Sequence, residues 1–243
     1  MSDVGQQHGT AAIFGASGGI GAALARALAA RGMAVHAGSR SGVVPEGAGI
    51  MPFRFDLTSE SSISQAAQAL REMPPGLVIV ASGVLTLDNG TGPEKSLRTL
   101  DGAAMEEVFR LNTIGPALVA KHVLPIMPKK GRAVFAALSA RVGSIGDNRL
   151  GGWHSYRASK AALNMLLKNF AIEMARRNEH FIVAGLHPGT VDTALSEPFQ
   201  SNLPDGQLTA PDEAARNLLA VLDGLTPNDS GEVFDWKGER IPE

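Results

Sequence analysis

Short apolar runs alternate with longer stretches in which apolar residues recur every three or four positions along the 243-residue chain. Apolar runs of this length predict buried strands, and the longer repeat predicts amphipathic helices. The predicted strands span residues 10–14, 33–38, 50–55, 77–80, 131–138, 181–186 and 232–235. The predicted helices span residues 22–31, 59–71, 103–127, 156–177 and 211–222. The alternation predicts an α/β protein with a doubly wound parallel sheet of about seven strands, helices on both faces, and a site at the carboxyl ends of the strands.

Three stretches depart from this alternation. Residues 1–9 are predicted to form a flexible N-terminal tail, which leaves residues 10–243 as a single domain. Pro116 and Pro125 interrupt the pattern at 103–127, so that helix is either kinked or divided in two. Residues 194–208 have no clean period, and we expect them to form a mobile flap.

Composition excludes several classes of function. The net charge is −2 and the basic residues are scattered, so nucleic acid is not an expected partner. The chain has no cysteine and its six histidines lie apart, so we expect no disulfides and no metal site. It shows neither a leader with an apolar core nor a run of 18 apolar residues, so we expect a cytoplasmic protein that does not enter a membrane.

A glycine-rich turn joins the first predicted strand to the first predicted helix. Free backbone N–H groups and the positive end of the helix dipole suit such a turn to a pyrophosphate. The residues predicted to form this phosphate site are Gly15, Ser17, Gly18, Gly19, Ile20 and Gly21. The alternative is a glycine-rich loop without a ligand.

The ends of the next three strands predict the rest of a dinucleotide groove. Ser39 and Arg40 follow the second strand, where a carboxylate would bind the ribose of NAD and an arginine the 2′-phosphate of NADP. We therefore expect NADP(H) rather than NAD(H), the alternative being a solvated arginine. After the third strand, Asp56 either caps the next helix or contacts the adenine, or does both. The residues that follow the third and fourth strands and complete the predicted groove are Leu57, Ala81, Ser82 and Gly83.

The one tyrosine of the chain, Tyr156, lies four residues before Lys160 on a predicted helix. Residues four apart lie on the same helix face, so the phenol and the ammonium share a small volume. A nearby cation favours the phenolate, and we expect Lys160 to lower the pKa of Tyr156 and to suit it to proton transfer. Asn112 interrupts an otherwise apolar helix face, which predicts a buried polar role, and Ser139 ends the fifth strand.

These residues together resemble the short-chain dehydrogenases/reductases over nearly the whole chain. The matching pieces are Gly15-x-x-x-Gly19-x-Gly21, Asp56-Leu57, Asn112, Ser139, Tyr156-x-x-x-Lys160 and Pro188-Gly189-x-Val191-x-Thr193. The segment around Ser139 to Tyr156 is similar to the branch of C-factor-like proteins and small carbonyl reductases. The resemblance implies a Rossmann fold, a small carbonyl or alcohol substrate, and a homodimer or homotetramer.

The resemblance also implies roles for the site residues. Tyr156 exchanges a proton with the substrate oxygen, and Lys160 holds the nicotinamide ribose. Asn112 supports a water that links Lys160 to solvent. Ser139 binds the substrate oxygen and Thr193 the nicotinamide carboxamide. Pro188, Gly189 and Val191 complete the implied cofactor site.

Two departures from the family pattern matter. The family has Asn-Asn-Ala-Gly after its fourth strand, whereas this chain has Val80-Ala81-Ser82-Gly83, and Ser82 replaces part of the lost brace. Counting back from the loop glycine places Ala140 where the family has its active serine, so either Ser139, Ser144 or a loop group takes that role, or the second donor is missing. The leading hypothesis is an NADP(H)-dependent oxidoreductase, and the alternative is a dinucleotide-binding regulatory or signalling protein with weak or no turnover.

Overall fold

The structure is a computed structural model that describes residues 9–202 and 208–243. Most of the predicted tail, and part of the predicted flap, therefore lie outside the described residues. The strands are β1 Thr10–Phe14, β2 Ala34–Ser39, β3 Ile50–Arg54, β4 Leu77–Val80, β5 Ala133–Leu138, β6 Phe181–His187, β7 Thr190–Val191, β8 Leu208–Thr209 and β9 Glu232–Asp235. The helices are α1 Gly19–Ala30, α2 Glu60–Ala69, α3 Gly102–Phe109, α4 Gly115–Val123, α5 His154–Ala175 and α6 Pro211–Gly224.

Seven strands form one parallel sheet in the order β3-β2-β1-β4-β5-β6-β9, which confirms the predicted doubly wound architecture. The chain winds outward in one direction through β2 and β3, and in the other through β4, β5, β6 and β9. The strand order therefore reverses between β1 and β4. In open α/β sheets, ligands bind at this reversal, outside the carboxyl ends of the two strands. The sheet thus places the glycine turn after β1 beside the segment that follows β4.

Two apolar layers cover the sheet. On one face α1 packs beside α6, and their leucines, including Leu24 and Leu218, share a cluster with Ile13 and Ile79 of the strands. On the other face α2, α4 and α5 cover Phe14 and Phe135. Both faces of the inner strands β1, β4, β5 and β6 are buried, which is why these parts of the sequence are continuous apolar runs rather than alternating ones.

The segment predicted as one long helix contains a π-helical insertion. α3 leads into a π-helical stretch, Arg110–Ile114, and α4 follows without a loop. Pro116 lies in the first turn of α4, where a missing N–H costs little. The π-helical stretch, which the proline pattern did not predict, therefore joins the two pieces and carries Asn112.

Of the two roles predicted for Asp56, the helix cap is wrong, and the contact with an adenine stays a prediction. Ser59 is the N-cap of α2, and its hydroxyl accepts a hydrogen bond from Ser62 N–H. Asp56 Oδ1 instead accepts bonds from the backbone N–H and the hydroxyl of Thr58, at 2.8 and 2.7 Å. Within the described part of the chain, no helix is long and apolar enough to cross a membrane.

Candidate active site

The turn after β1 is a tight backbone structure that leaves the start of α1 uncovered. Gly15 has φ +103°, and a Cβ at Gly21 would lie 2.1 Å from Gly15 O, so both positions require glycine. Gly18 is the N-cap of α1, makes no side-chain cap, and is followed by no acidic residue in the first turn. The backbone N–H groups in the first turn of a helix have no hydrogen-bond partner within the helix. In α1 these groups are therefore available to an anion.

An open cleft of about 220 Å³ extends from this turn to the start of α5. Twelve of the predicted site residues line it. They are Gly18, Gly19, Ile20, Gly21, Ala81, Ser82, Gly83, Ser139, Tyr156, Lys160, Pro188 and Thr193. The bare glycine cradle and uncapped helix at one end, with a buried amine at the other, fit a pyrophosphate and a nicotinamide ribose.

Tyr156 and Lys160 lie in the first two turns of α5 and both line the cleft. Lys160 is buried, with 3% of its surface exposed, and its Nζ lies 5.8 Å from the centre of the Tyr156 ring. The ammonium donates a hydrogen bond to Leu138 O at 2.8 Å. The helix therefore brings the phenol and the amine together, as the spacing predicted.

The electrostatics of this pair differ from the prediction. Burial raises the pKa of Tyr156 to about 12, and burial lowers the pKa of Lys160 to about 8. The prediction of a lowered pKa for Tyr156 is wrong for this geometry, because desolvation of the phenolate outweighs its attraction to Lys160. At neutral pH the phenol is protonated and the amine is mostly charged.

Asn112 is fully buried behind the cleft and braces it. Its Oδ1 accepts a hydrogen bond from Val84 N–H, and its Nδ2 donates to Val84 O, both at 2.8 Å. Its Nδ2 also donates to Ser159 Oγ on α5, at 3.2 Å. A Cβ at Gly83 would lie 3.0 Å from Asn112 Oδ1 and 3.4 Å from Lys160 Nζ. Asn112 thus fixes the segment after β4 against α5, and its role with a water stays a prediction.

Ser139 lines the cleft, but its hydroxyl has a partner elsewhere. Ser139 Oγ donates to Asn164 Oδ1 at 2.6 Å, one turn after Lys160 on α5. Asn164 also lines a separate cavity beside Lys168 and Glu232. Ser144, the other candidate, lies outside the cleft, where its hydroxyl accepts a bond from Asp147 N–H. The binding of a substrate oxygen by Ser139 stays a prediction, and it requires the hydroxyl to leave Asn164.

The segment after β2 presents cations near the predicted ribose site. The Ser39 hydroxyl is buried and donates to Val43 O at 2.8 Å, whereas Arg40 is exposed. Arg54, at the end of β3, packs over this segment, since a Cβ at Gly42 would lie 2.9 Å from its Nε. The hydrogen bonds from Thr58, reinforced by the charge of Arg40, keep the pKa of Asp56 below its usual value. Sequence reasoning missed Arg54, because only the register of β3 beside β2 shows its position.

The segment after β6 closes the cleft from the other side. A Cβ at Gly19 would lie 2.6 Å from Thr193 Cγ2, so Thr193 packs directly on the glycine turn. Gly189 has φ +75°, and a Cβ there would lie 3.1 Å from the Trp236 ring. Val191 is buried in β7. Nine of the predicted cofactor residues do not line the cleft. Four of these nine shape the backbone or fill the core, namely Gly15, Leu57, Gly189 and Val191.

The brace predicted for Ser82 is present. Its hydroxyl donates to Phe14 O at 3.2 Å and so joins the end of β4 to the end of β1. Ser17 is exposed at the outer side of the glycine turn. Sequence reasoning missed Glu94, which contacts the start of α5, because its partner Ser155 is distant in sequence.

Comparison with known proteins supports the resemblance seen in the sequence. The profile of the short chain dehydrogenase family matches residues 9–204. The C-signal protein of Myxococcus xanthus is 37% identical over 60% of this chain and 83% of its own. The 1-hydroxy-2-glutathionyl-2-methyl-3-butene dehydrogenase of a Rhodococcus strain is 32% identical over 91% of this chain and 94% of its own. The NADPH-bound carbonyl reductase from chicken fatty liver superposes with a TM-score of 0.80 at 25% identity, covering 100% of this chain and 99% of that one.

Proposed function

Because the chain belongs to the short-chain dehydrogenase family, we propose that it is an NADP(H)-dependent oxidoreductase acting on a carbonyl/alcohol pair, with Tyr156 as proton donor and acceptor. The observation that carries this proposal is the placement of Tyr156 and Lys160 in one cleft with the uncapped glycine turn. The relatives support the reaction class, since one is a dehydrogenase and another a carbonyl reductase with bound NADPH.

A nicotinamide cofactor, when bound, supplies or accepts the hydride. The residues proposed to hold it are the glycine turn at the pyrophosphate, Arg40 and Arg54 at a 2′-phosphate, and Lys160 and Thr193 at the nicotinamide end. The backbone at Gly83 lets Lys160 and the ligand approach closely, because no side chain stands there.

The chain's own chemistry at the substrate is a proton transfer. Charge grows on the carbonyl oxygen as the carbon is reduced, and a protonated phenol is the form that can donate to it. With a pKa of about 12, the phenol of Tyr156 is protonated at neutral pH, and this is the form that reduction of a carbonyl requires. The ammonium of Lys160, within 5.8 Å of the ring, stabilises the phenolate that the transfer leaves behind.

The decisive experiment is Tyr156→Phe, which removes the transferable proton and little else. We expect NADPH affinity within twofold of wild type and turnover of a panel of aldehydes, ketones and quinones reduced by about 10²- to 10⁴-fold. The control is Lys130→Met, which alters an exposed residue that does not line the cleft and is expected to leave turnover unchanged. Wild-type turnover in Tyr156→Phe on any accepted substrate would show that another group donates the proton.

A second candidate function is a dinucleotide-binding signalling protein with weak turnover. Two observations favour it: the Ser139 hydroxyl is bonded to Asn164, and the C-signal protein is among the relatives. Tight NADPH binding without oxidation of NADPH across the same panel would support it. A robust rate with any substrate of that panel would exclude it.

We also infer that a second copy of the chain covers the outer face of α5. Met165 and Ile172 lie seven residues apart, on the same side of this helix, and are 62% and 50% exposed. Ile114, in the π-helical stretch before α4, is also 50% exposed. Light scattering after gel filtration tests the expected homodimer or homotetramer, and a monomer that Met165→Glu leaves unchanged would contradict it.

A further inference from the structure

The helix that carries Tyr156 and Lys160 begins without a cap of its own. Its N-cap residue is Trp153, whose side chain makes no capping bond. Trp153 has φ +51°, and Gly151 and Gly152 before it also have positive φ. A left-handed backbone is rare for a bulky residue and persists only where the surroundings hold it. Some other part of the chain must therefore fix this segment.

Glu94, about sixty residues earlier in the chain, provides that support. Its carboxylate accepts hydrogen bonds from the backbone N–H of Ser155, at 3.1 Å, and from the Ser155 hydroxyl. Its backbone carbonyl accepts a bond from Trp153 N–H at 2.5 Å. Glu94 is buried, with 8% of its surface exposed, so these bonds are shielded from water. Glu94 thus hydrogen-bonds to the residues before and after His154, the first residue of α5.

The charge of Glu94 suits this position. Burial raises its pKa, but the hydrogen bonds from the Ser155 hydroxyl and from backbone N–H groups outweigh burial, so its pKa lies below the usual value. A carboxylate at the first turn of a helix is also favoured by the helix dipole. The carboxylate is therefore charged near neutral pH and replaces the missing cap.

The segment that Glu94 holds carries an aromatic wall beside the phenol. The Trp153 ring lies 6.2 Å from the Tyr156 ring in an edge-to-face arrangement and 5.3 Å from the Phe199 ring. Trp153 precedes α5 and Phe199 follows β7, so two distant segments of the chain form this aromatic pair. Flat apolar groups stack favourably against such rings.

We propose that Glu94 is a positioning residue that fixes Trp153 and the start of α5 together, so that the wall formed by Trp153 and Phe199 presents a flat aromatic carbonyl substrate to Tyr156. This inference rests on the proposed oxidoreductase function. Glu94 acts through Ser155 and Trp153 and does not itself contact the reacting atoms. A displacement of the phenol by about 1 Å is enough to slow a reaction by about 10²-fold.

Steady-state kinetics with acetophenone and butanal test the proposal. Glu94→Ala is expected to reduce kcat/KM for acetophenone by about 10- to 100-fold and for butanal by a smaller factor, with NADPH affinity within twofold of wild type. Glu94→Gln keeps a side-chain oxygen that can accept a hydrogen bond and keeps the size of the side chain, but it loses the charge. This variant is expected to retain at least a fifth of the wild-type kcat/KM for acetophenone. The matched control, Glu72→Ala, removes an exposed carboxylate after α2 and is expected to leave both substrates unchanged. Equal kcat/KM in Glu94→Ala and wild type for acetophenone would overturn the proposal.

A fluorescence measurement tests the same idea without turnover. In a Trp236→Phe background Trp153 is the one remaining tryptophan of the chain. Glu94→Ala is expected to raise acrylamide quenching of Trp153 at least twofold while far-UV circular dichroism stays that of the parent. Unchanged quenching would overturn the proposal. If Glu94→Ala does not fold, Ser155→Ala removes one donor to the carboxylate, and a smaller rise in quenching of the same sign is then required.

The two experiments separate this inference from the function on which it rests. Increased quenching in a protein that reduces no substrate would support positioning by Glu94 and contradict the oxidoreductase proposal. Turnover that is lost in Tyr156→Phe but unaffected in Glu94→Ala would support the function and overturn the inference.

Discussion

Lys160 is expected to destabilise the fold in which it works, and Lys160→Met tests this. Burial lowers the pKa of Lys160 from 10.5 to about 8. At 1.36 kcal/mol per pH unit, charging the buried amine costs about 3 kcal/mol relative to the unfolded chain. Methionine cannot donate to Leu138 O, and the loss of this hydrogen-bond partner costs about 1.5 kcal/mol. Methionine has a similar length and no charge, so Lys160→Met should be about 1.5 kcal/mol more stable than wild type at pH 7.

The pH dependence of stability gives a second measure of the same effect. Between pH 8 and 10.5 the unfolded chain binds more protons at this lysine than the folded chain does, so stability rises with pH. The wild-type protein should gain about 1.5 kcal/mol between pH 8 and 9.5, and Lys160→Met should not show this gain. Above about pH 10 the raised pKa of Tyr156 reverses the trend, because only the unfolded phenol ionises there.

Urea unfolding followed by circular dichroism, without added cofactor, provides the assay. The control is Lys130→Met, which removes an exposed lysine and should change stability by no more than about 0.5 kcal/mol. Turnover should fall sharply in Lys160→Met, because the buried lysine that lowers stability is proposed to take part in the reaction. A wild-type free energy that is flat from pH 8 to 9.5, or a Lys160→Met protein less stable than wild type at pH 7, would refute the reasoning.

Three further predictions concern the phosphate turn, the cofactor and the end of α6. Gly21→Ala should cost more than about 3 kcal/mol in urea unfolding, because its Cβ would lie 2.1 Å from a backbone oxygen, whereas Gly18→Ala, with 3.7 Å of space, should cost less than about 1 kcal/mol. Arg40→Asp should weaken NADPH binding by about 10- to 100-fold in a fluorescence titration and leave NADH binding equal or tighter; equal loss for both cofactors would contradict the assignment of Arg40 to the 2′-phosphate. Arg132→Ala should cost about 1–2 kcal/mol in urea unfolding, because its guanidinium donates two bonds of 2.6 Å to carbonyls at the end of α6, and Arg132→Lys should restore part of that loss.

Residues close together in the sequence were sufficient to predict the helices and strands of the fold and about half of the site. The apolar runs predicted the seven strands of the sheet to within a few residues, because the inner strands β1, β4, β5 and β6 are buried on both faces and need apolar residues throughout. The glycine turn could be predicted because its glycines lie within six residues of one another. The pairing of Tyr156 with Lys160 could be predicted from the geometry of a single helix. These features depend on neighbours along the chain, and a sequence displays such neighbours directly.

Contacts between distant segments decided the rest. The sequence places Ser139 at the end of a strand and shows no partner for its hydroxyl. The packing of α5 brings Asn164 within hydrogen-bond distance of that hydroxyl. The spacing of Tyr156 and Lys160 suggested a lowered pKa for the phenol, whereas the depth of the pair in the fold raises it, because desolvation exceeds the attraction between them. The sequence by itself therefore determined which chemical groups the site contains, and only the tertiary structure decided their protonation and partners, since burial and hydrogen bonding are properties of the packed chain.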